Sequence, residues 1–171
     1  MIELLVLATL FFGPCHGYEI KKMNPGIKIN NNTLYPLLKK LVDNGWVNME
    51  LQPQDNKPAK KVYHLTETGH DRLFELITDF DKNKAASLDE FYIRVAFFQF
   101  LPKDSIKKIL DSRDAFLNDR VSQQKLMVIL DRFPDKAYDI MYMKKYASSK
   151  LFDEKQFVKT LKEKYNIEDE N

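Results

Sequence analysis

The stretch from Asn30 to Leu65, NNNTLYPLLKKLVDNGWVNMELQPQDNKPAKKVYHL, changes its hydrophobic period half-way along, and that change decides the fold. Asn30, Asn31 and Asn32 are good N-cap residues, and Leu34, Leu37, Leu38 and Leu41 then recur at helical spacing on one face. Asn44 and Gly45 close this helix as a C-cap. Beyond Gly45 the pattern alternates. Trp46, Asn48, Glu50 and Gln52 stand against Val47, Met49 and Leu51, a strand of about six residues. After a polar loop from Pro53 to Ala59, Lys61, Tyr63 and Leu65 alternate with Val62 and His64, so the two strands form a hairpin with a soluble tip.

Upstream, Ile2 to Phe12 is apolar on nearly every face and reads as a helix buried all round, stopped by Gly13 and Pro14. His16 to Met23 has helical spacing, and Asn24-Pro25-Gly26 breaks it. Downstream, Thr66 is an N-cap, and Leu73, Phe74, Ile77 and Phe80 form the apolar face of the next helix. Three helices, a hairpin and a helix, within about 80 residues, is the order of a winged helix-turn-helix.

Past Lys84 the patterns are helical throughout. Phe91, Val95, Phe98 and Leu101 share a face that Pro102 ends. Ser105 to Arg132 contains no glycine or proline and predicts a helix on the order of 40 Å long. Phe133-Pro134 turns the chain into a last amphipathic pattern through Tyr138, Met141, Tyr142 and Tyr146, which continues to Leu161 or restarts at a cap formed by Asp153 and Gln156. Helices this long in so small a segment need a further surface to cover their apolar faces, and a second chain is the usual one. The expected fold class is therefore mainly α: a winged helix-turn-helix with a two-stranded wing over residues 1–84, then an all-α dimerisation region over residues 85–171.

With 171 residues, 44% of them hydrophobic, the chain is long enough to bury about 70% of its unfolded surface without metal or disulfide staples. A single cysteine, Cys15, allows no internal bridge and points to a reducing compartment, the cytoplasm. The apolar opening is too short to span a bilayer, which takes roughly 20 residues, and it carries Glu3 with no cleavage pattern, so no membrane partner is expected. His16, His64 and His70 lie in different elements and suggest no metal, and there is no glycine-rich phosphate loop. Neither a catalytic set nor a cofactor is expected.

The net charge of +2 says little as a total, but its distribution is informative. Between His16 and Lys61 eight lysines stand against four carboxylates, a local excess of the kind phosphate neutralisation needs. Asn31, Asn32 and Thr33 open the third helix, where Asn bonds adenine bidentately and Thr touches a thymine methyl or a phosphate. They also cap, and Asn30 suits either role. Tyr35, one turn along, and Tyr18 either donate to phosphates or pack between the helices. Lys21, Lys39 and Lys40 suit the DNA backbone, and Lys57, Lys60 and Lys61 flank the hairpin tip, where a wing meets the negative minor groove. Charge there also protects an exposed hairpin from edge pairing. In the second half Tyr92, Phe98, Tyr138 and Tyr142, with Arg94 for a carboxylate, form a candidate pocket for a planar aromatic effector; the same rings also suit a dimer core.

Three segments together resemble the PadR family of bacterial transcriptional regulators. GPCHGYEIKK, Gly13 to Lys22, resembles its second-helix signature; TLYPLLKKLVDNGWV, Thr33 to Val47, its recognition helix and wing entry; and KVYHLTETG, Lys61 to Gly69, its second wing strand and following helix. DEFYIRVAFFQFLPKDS, Asp89 to Ser105, is similar to the start of the C-terminal region in longer-tailed members that respond to phenolic acids. The resemblance implies a homodimer assembled through the C-terminal helices that binds a palindromic operator in double-stranded DNA. It implies repression, relieved in ligand-responsive members by a small molecule. Asn32 departs from the small residue often found at its place, so contacts at the helix start are expected to differ. The alternative from another class is a winged helix that serves as a protein-interaction module without binding DNA.

Overall fold

The computed structural model of the chain describes residues 1–24, 27, 29–54, 57–123 and 137–168. It divides into two compact units, Met1–Asp79 and Phe80–Asn171.

In the first unit, helix α1 (Ile2–Phe11) has Leu4 to Leu10 buried, in keeping with a sequence that is apolar on every face. It packs on α4 (Glu67–Thr78), whose Arg72 Nε donates to Glu3 Oε1 at 2.9 Å. Strand β1 (Cys15–His16) leads into α2 (Gly17–Met23), where the Glu19 carboxylate accepts the His16 N–H at 2.8 Å as half of a capping box. Helix α3 (Asn31–Asp43) follows, with Leu34, Leu38 and Leu41 buried, and then the hairpin β2 (Val47–Gln54) and β3 (Lys57–Leu65).

Among the described residues the sheet is three-stranded and antiparallel in the order β1-β3-β2, so the wing has one more strand than the sequence predicts. Cys15 and His16 pair with Tyr63 and Val62. A two-residue strand has no period of its own and exists only through this long-range pairing. Of the expected loop, residues 53, 54 and 57–59 are strand, because the ladder runs from Val47↔Leu65 to Gln52↔Lys60 and resumes at Gln54↔Lys57, while residues 55 and 56 lie outside the described residues. Beyond Val47, β2 is nearly all solvent-facing, so its outer half is held by main-chain hydrogen bonds and lacks hydrophobic alternation. Thr66 caps α4: its Oγ1 accepts the Gly69 N–H at 3.0 Å and donates to the Gly45 carbonyl at 2.7 Å. That helix ends at Thr78, so Phe80 is not on its face.

The second unit contains α5 (Lys82–Ala85), α6 (Leu88–Val95), α7 (Lys103–Gln123) and α8 (Ala137–Lys164). Asp81 Oδ1 caps α5 through the N–H groups of Asn83 and Lys84, and Ser87 caps α6. The single run expected from Phe91 to Leu101 is broken after Val95 by a 3₁₀ turn, Phe98–Phe100. Phe80, Phe91, Phe97, Phe98, Ile109, Leu110, Leu117 and Val158 are buried. Two arginines are buried with them. Arg94 is paired with Glu90, and Arg113 of α7 holds Glu154 of α8 through Nε at 2.6 Å and donates to the Ala85 carbonyl. Helix α8 continues through Ser148-Ser149 without a restart. The predicted end of the preceding helix at Arg132 and the Phe133-Pro134 turn lie outside the described residues.

Candidate nucleic-acid interface

The first turn of α3 presents Asn31, Asn32 and Thr33 to solvent, with Asn30 just ahead of them. Asn30 is the cap: its Oδ1 accepts the Thr33 N–H at 2.8 Å and the Thr33 hydroxyl at 2.9 Å. Asn31 is tied to α2, its Oδ1 accepting from Lys21 Nζ at 2.9 Å. The Asn32 amide makes no hydrogen bond among the described residues and is exposed. Tyr35 is 46% exposed and its ring lies on Gly17, where an added Cβ would sit 3.0 Å from Cε1. The ring therefore packs between α2 and α3, as one of its two expected roles required, and Gly17 is the residue that makes room for it. Tyr18, beside it on α2, is 70% exposed.

The cations differ in what surrounds them. Lys40 Nζ lies 4.0 Å from Glu3 and Lys21 is engaged with Asn31. Lys22, Lys39, Lys60 and Lys61 are exposed and have no carboxylate partner among the described residues. Lys60 and Lys61 stand opposite Gln52 and Leu51 in the ladder, and the main chain of Lys57 pairs with Gln54, its side chain lying outside the description. Of the acids nearby, Glu19 is held in its capping box, Glu50 lies 3.4 Å from His64 Nε2, and Asp43 is at the far end of α3 from Asn31. The surface of α2, the start of α3 and the wing therefore carries uncompensated positive charge, which attracts a polyanion. Cys15 is chemically quiet here. Burial, with a smaller contribution from Glu19, pushes its thiol up to about 11.

Residues 6–75 match the model of the transcriptional regulator PadR-like family, a span that opens inside α1 and closes inside α4. The winged unit is a PadR-like family domain. That family is one of transcriptional regulators. The chain is 28% identical over 137 residues to the negative transcriptional regulator PadR of Bacillus subtilis, covering 74% of this chain and 75% of that one. A PadR family transcriptional regulator of Eggerthella lenta is 34% identical over 44% of this chain and 67% of that chain, with a TM-score of 0.40. The structure of Bacillus subtilis PadR in complex with operator DNA is 19% identical over 96% of this chain and 97% of that one, with a TM-score of 0.47.

Outside the PadR-like unit, the residues suggested for an effector have separate neighbours. Tyr92 is 48% exposed and stacks edge-on against Phe157; Phe98 is buried edge-on against Tyr165; Arg94 lies over the Phe80 ring and on Glu90. Tyr142 is 74% exposed, and the side chain of Tyr138 lies outside the description. Sequence reasoning missed the role of Gly17 and the Lys21–Asn31 link. The first was signalled by the Gly-Tyr pair opening α2. The second joins residues ten apart across a turn and left no periodic trace. Among the described residues no helix is long and apolar enough to cross a membrane, and no group of three potential metal ligands is gathered.

Proposed function

We propose that this chain is a homodimeric, cytoplasmic repressor that binds a palindromic operator through its winged unit and is released by a small aromatic effector. The observation that carries the DNA-binding part is the set of exposed lysines without carboxylate partners, Lys22, Lys39, Lys60 and Lys61, around a helix start bearing exposed amides. In this reading Asn31, Asn32, Thr33 and Tyr35 approach the major groove. Tyr18, Lys21, Lys39 and Lys40 meet backbone, and Lys57, Lys60 and Lys61 reach the neighbouring minor groove. Residues 1–84 bind DNA and residues 85–171 dimerise. Pairing is supported by the exposed Tyr142, Tyr146 and Phe152 on α8, rings that a lone chain leaves in water. Repression is supported by the Bacillus subtilis relative, a negative regulator. The effector would engage Tyr92, Arg94, Phe98, Tyr138 and Tyr142, and its carboxylate would compete with Glu90 for Arg94.

The test is fluorescence anisotropy with fragments of the gene's own upstream region against a scrambled duplex across a salt series, then with aromatic acids added. Selective binding with a steep negative log-log salt slope, lost on adding an acid, is the expected result. Equal and weak binding to both duplexes at low salt overturns it in favour of a protein partner.

A further inference from the structure

Resting on the reading of α3 as the recognition helix, we infer that Asn32 is the adenine-reading side chain and that Asn31, held by Lys21, contacts acceptors only. An amide reads adenine in the major groove with both of its ends: the carbonyl accepts from the N6 amino group while the NH₂ donates to N7. An amide whose oxygen already accepts from an ammonium is handicapped for this, because the cation occupies one of its two lone pairs and repels a second donor. Three asparagines stand side by side at this helix start, and their amides are not equivalent.

Asn30 Oδ1 receives the Thr33 N–H and the Thr33 hydroxyl, which fixes that amide as a cap. Asn31 Oδ1 lies 2.9 Å from Lys21 Nζ. An ammonium has three protons and no lone pair, so chemistry settles which end of the amide faces it. What Asn31 leaves exposed is its NH₂, beside the remaining N–H groups of Lys21. The pair offers mainly donors, and so matches a phosphate oxygen or the O6 and N7 of guanine, while the amino group of adenine would have to share the Asn31 oxygen with the ammonium. Thr33 has given its hydroxyl proton to Asn30, leaving lone pairs and a methyl group. Asn32 is exposed, with no hydrogen bond to its amide among the described residues, and both ends are available. It lies about 100° around the helix from Asn31, so the two amides point in different directions. Lys21 is in this scheme a positioning residue. It selects the orientation of Asn31 and thereby assigns adenine to its neighbour.

The experiment is anisotropy on an operator duplex and its single-base-pair variants, for the full-length protein and for Asn32→Ala, Asn31→Ala and Lys21→Met, with circular dichroism melts to verify folding. The wild-type protein should prefer adenine at one position of each half-site by about tenfold to a hundredfold. Asn32→Ala should abolish that preference and retain the others. Asn31→Ala should weaken binding to every duplex by a similar factor with the adenine preference intact. Lys21→Met should keep the Asn32 preference, reduce the log-log salt slope by about one, and add acceptance of adenine at the position facing Asn31, whose oxygen is then released. Loss of the adenine preference in Asn31→Ala with its retention in Asn32→Ala overturns the assignment. A wild-type protein that binds all duplexes alike overturns the recognition-helix reading itself, and the assignment with it.

Discussion

A Cβ placed on Gly69 would lie 2.0 Å from the main-chain oxygen of Trp46 and 3.0 Å from its carbonyl carbon. That oxygen also accepts the Thr66 N–H at 3.1 Å, so the first turn of α4 is seated directly on the base of the wing. The neighbour is backbone, held on both sides by structure, and has no rotamer to change. Gly69→Ala should therefore destabilise the protein by about 1–3 kcal/mol. Urea unfolding of the variant checks this, and an unchanged midpoint would mean that α4 can lift from the wing at no cost.

Lys60 and Lys61 stand on the wing with no carboxylate to neutralise them among the described residues. Replacing both by alanine should weaken binding to all duplexes alike and flatten the log-log salt slope by about two. Loss of discrimination at one base pair, with the slope unaltered, would instead assign these lysines to base edges.

The order of elements was legible because it rests on period. Leu34 to Leu41 announce a helix, and Val47 onward announces a strand. Features whose cause lies elsewhere in the chain were not. Strand β1 is two residues that belong to a sheet only because Tyr63 and Val62 come alongside. The wing extends through a polar stretch because ladder bonds do not require apolar side chains. Helix α5 is a single turn fixed by the Asp81 cap, too short to show a repeat. The candidate interface follows the same division. Its residue types could be read from Asn30 to Lys61, but which amide is engaged depends on Lys21 reaching across from α2.

Arg113 is 3% exposed at its side chain, and its charge is balanced by Glu154, whereas the Lys159–Glu163 pair lies on the surface with both side chains about two-thirds exposed. Glu154→Ala leaves a buried guanidinium without its counter-charge and should cost about 3–5 kcal/mol. Glu163→Ala should cost under about 1 kcal/mol. Thermal unfolding of the two variants in parallel tests the contrast, and equal shifts would contradict it.

Burial, then the charge of Glu19, pushes the Cys15 thiol up from 9.0 to about 11. A folded-state value above the unfolded one means that this contribution to stability is complete below pH 9 and is lost as pH rises toward 11. The urea midpoint of the wild-type protein should accordingly fall more steeply across that window than that of Cys15→Ala. Parallel curves for the two would show that the thiol does not ionise on unfolding. At neutral pH an alkylating reagent should modify Cys15 only as fast as the first unit opens.

Helix α1 is buried from Leu4 to Leu10, yet the helix it packs on, α4, begins only at Glu67. During synthesis the apolar segment is thus completed some 60 residues before its partner. At ribosomal speeds of about 5–20 residues per second the wait is roughly 3–12 seconds. Until then only α2, and later β3, can cover part of that greasy surface, and the uncovered remainder is what a chaperone at the tunnel exit would recognise. Yield in cells should depend on translation speed between the α1 and α4 codons more than on the final stability of the folded chain.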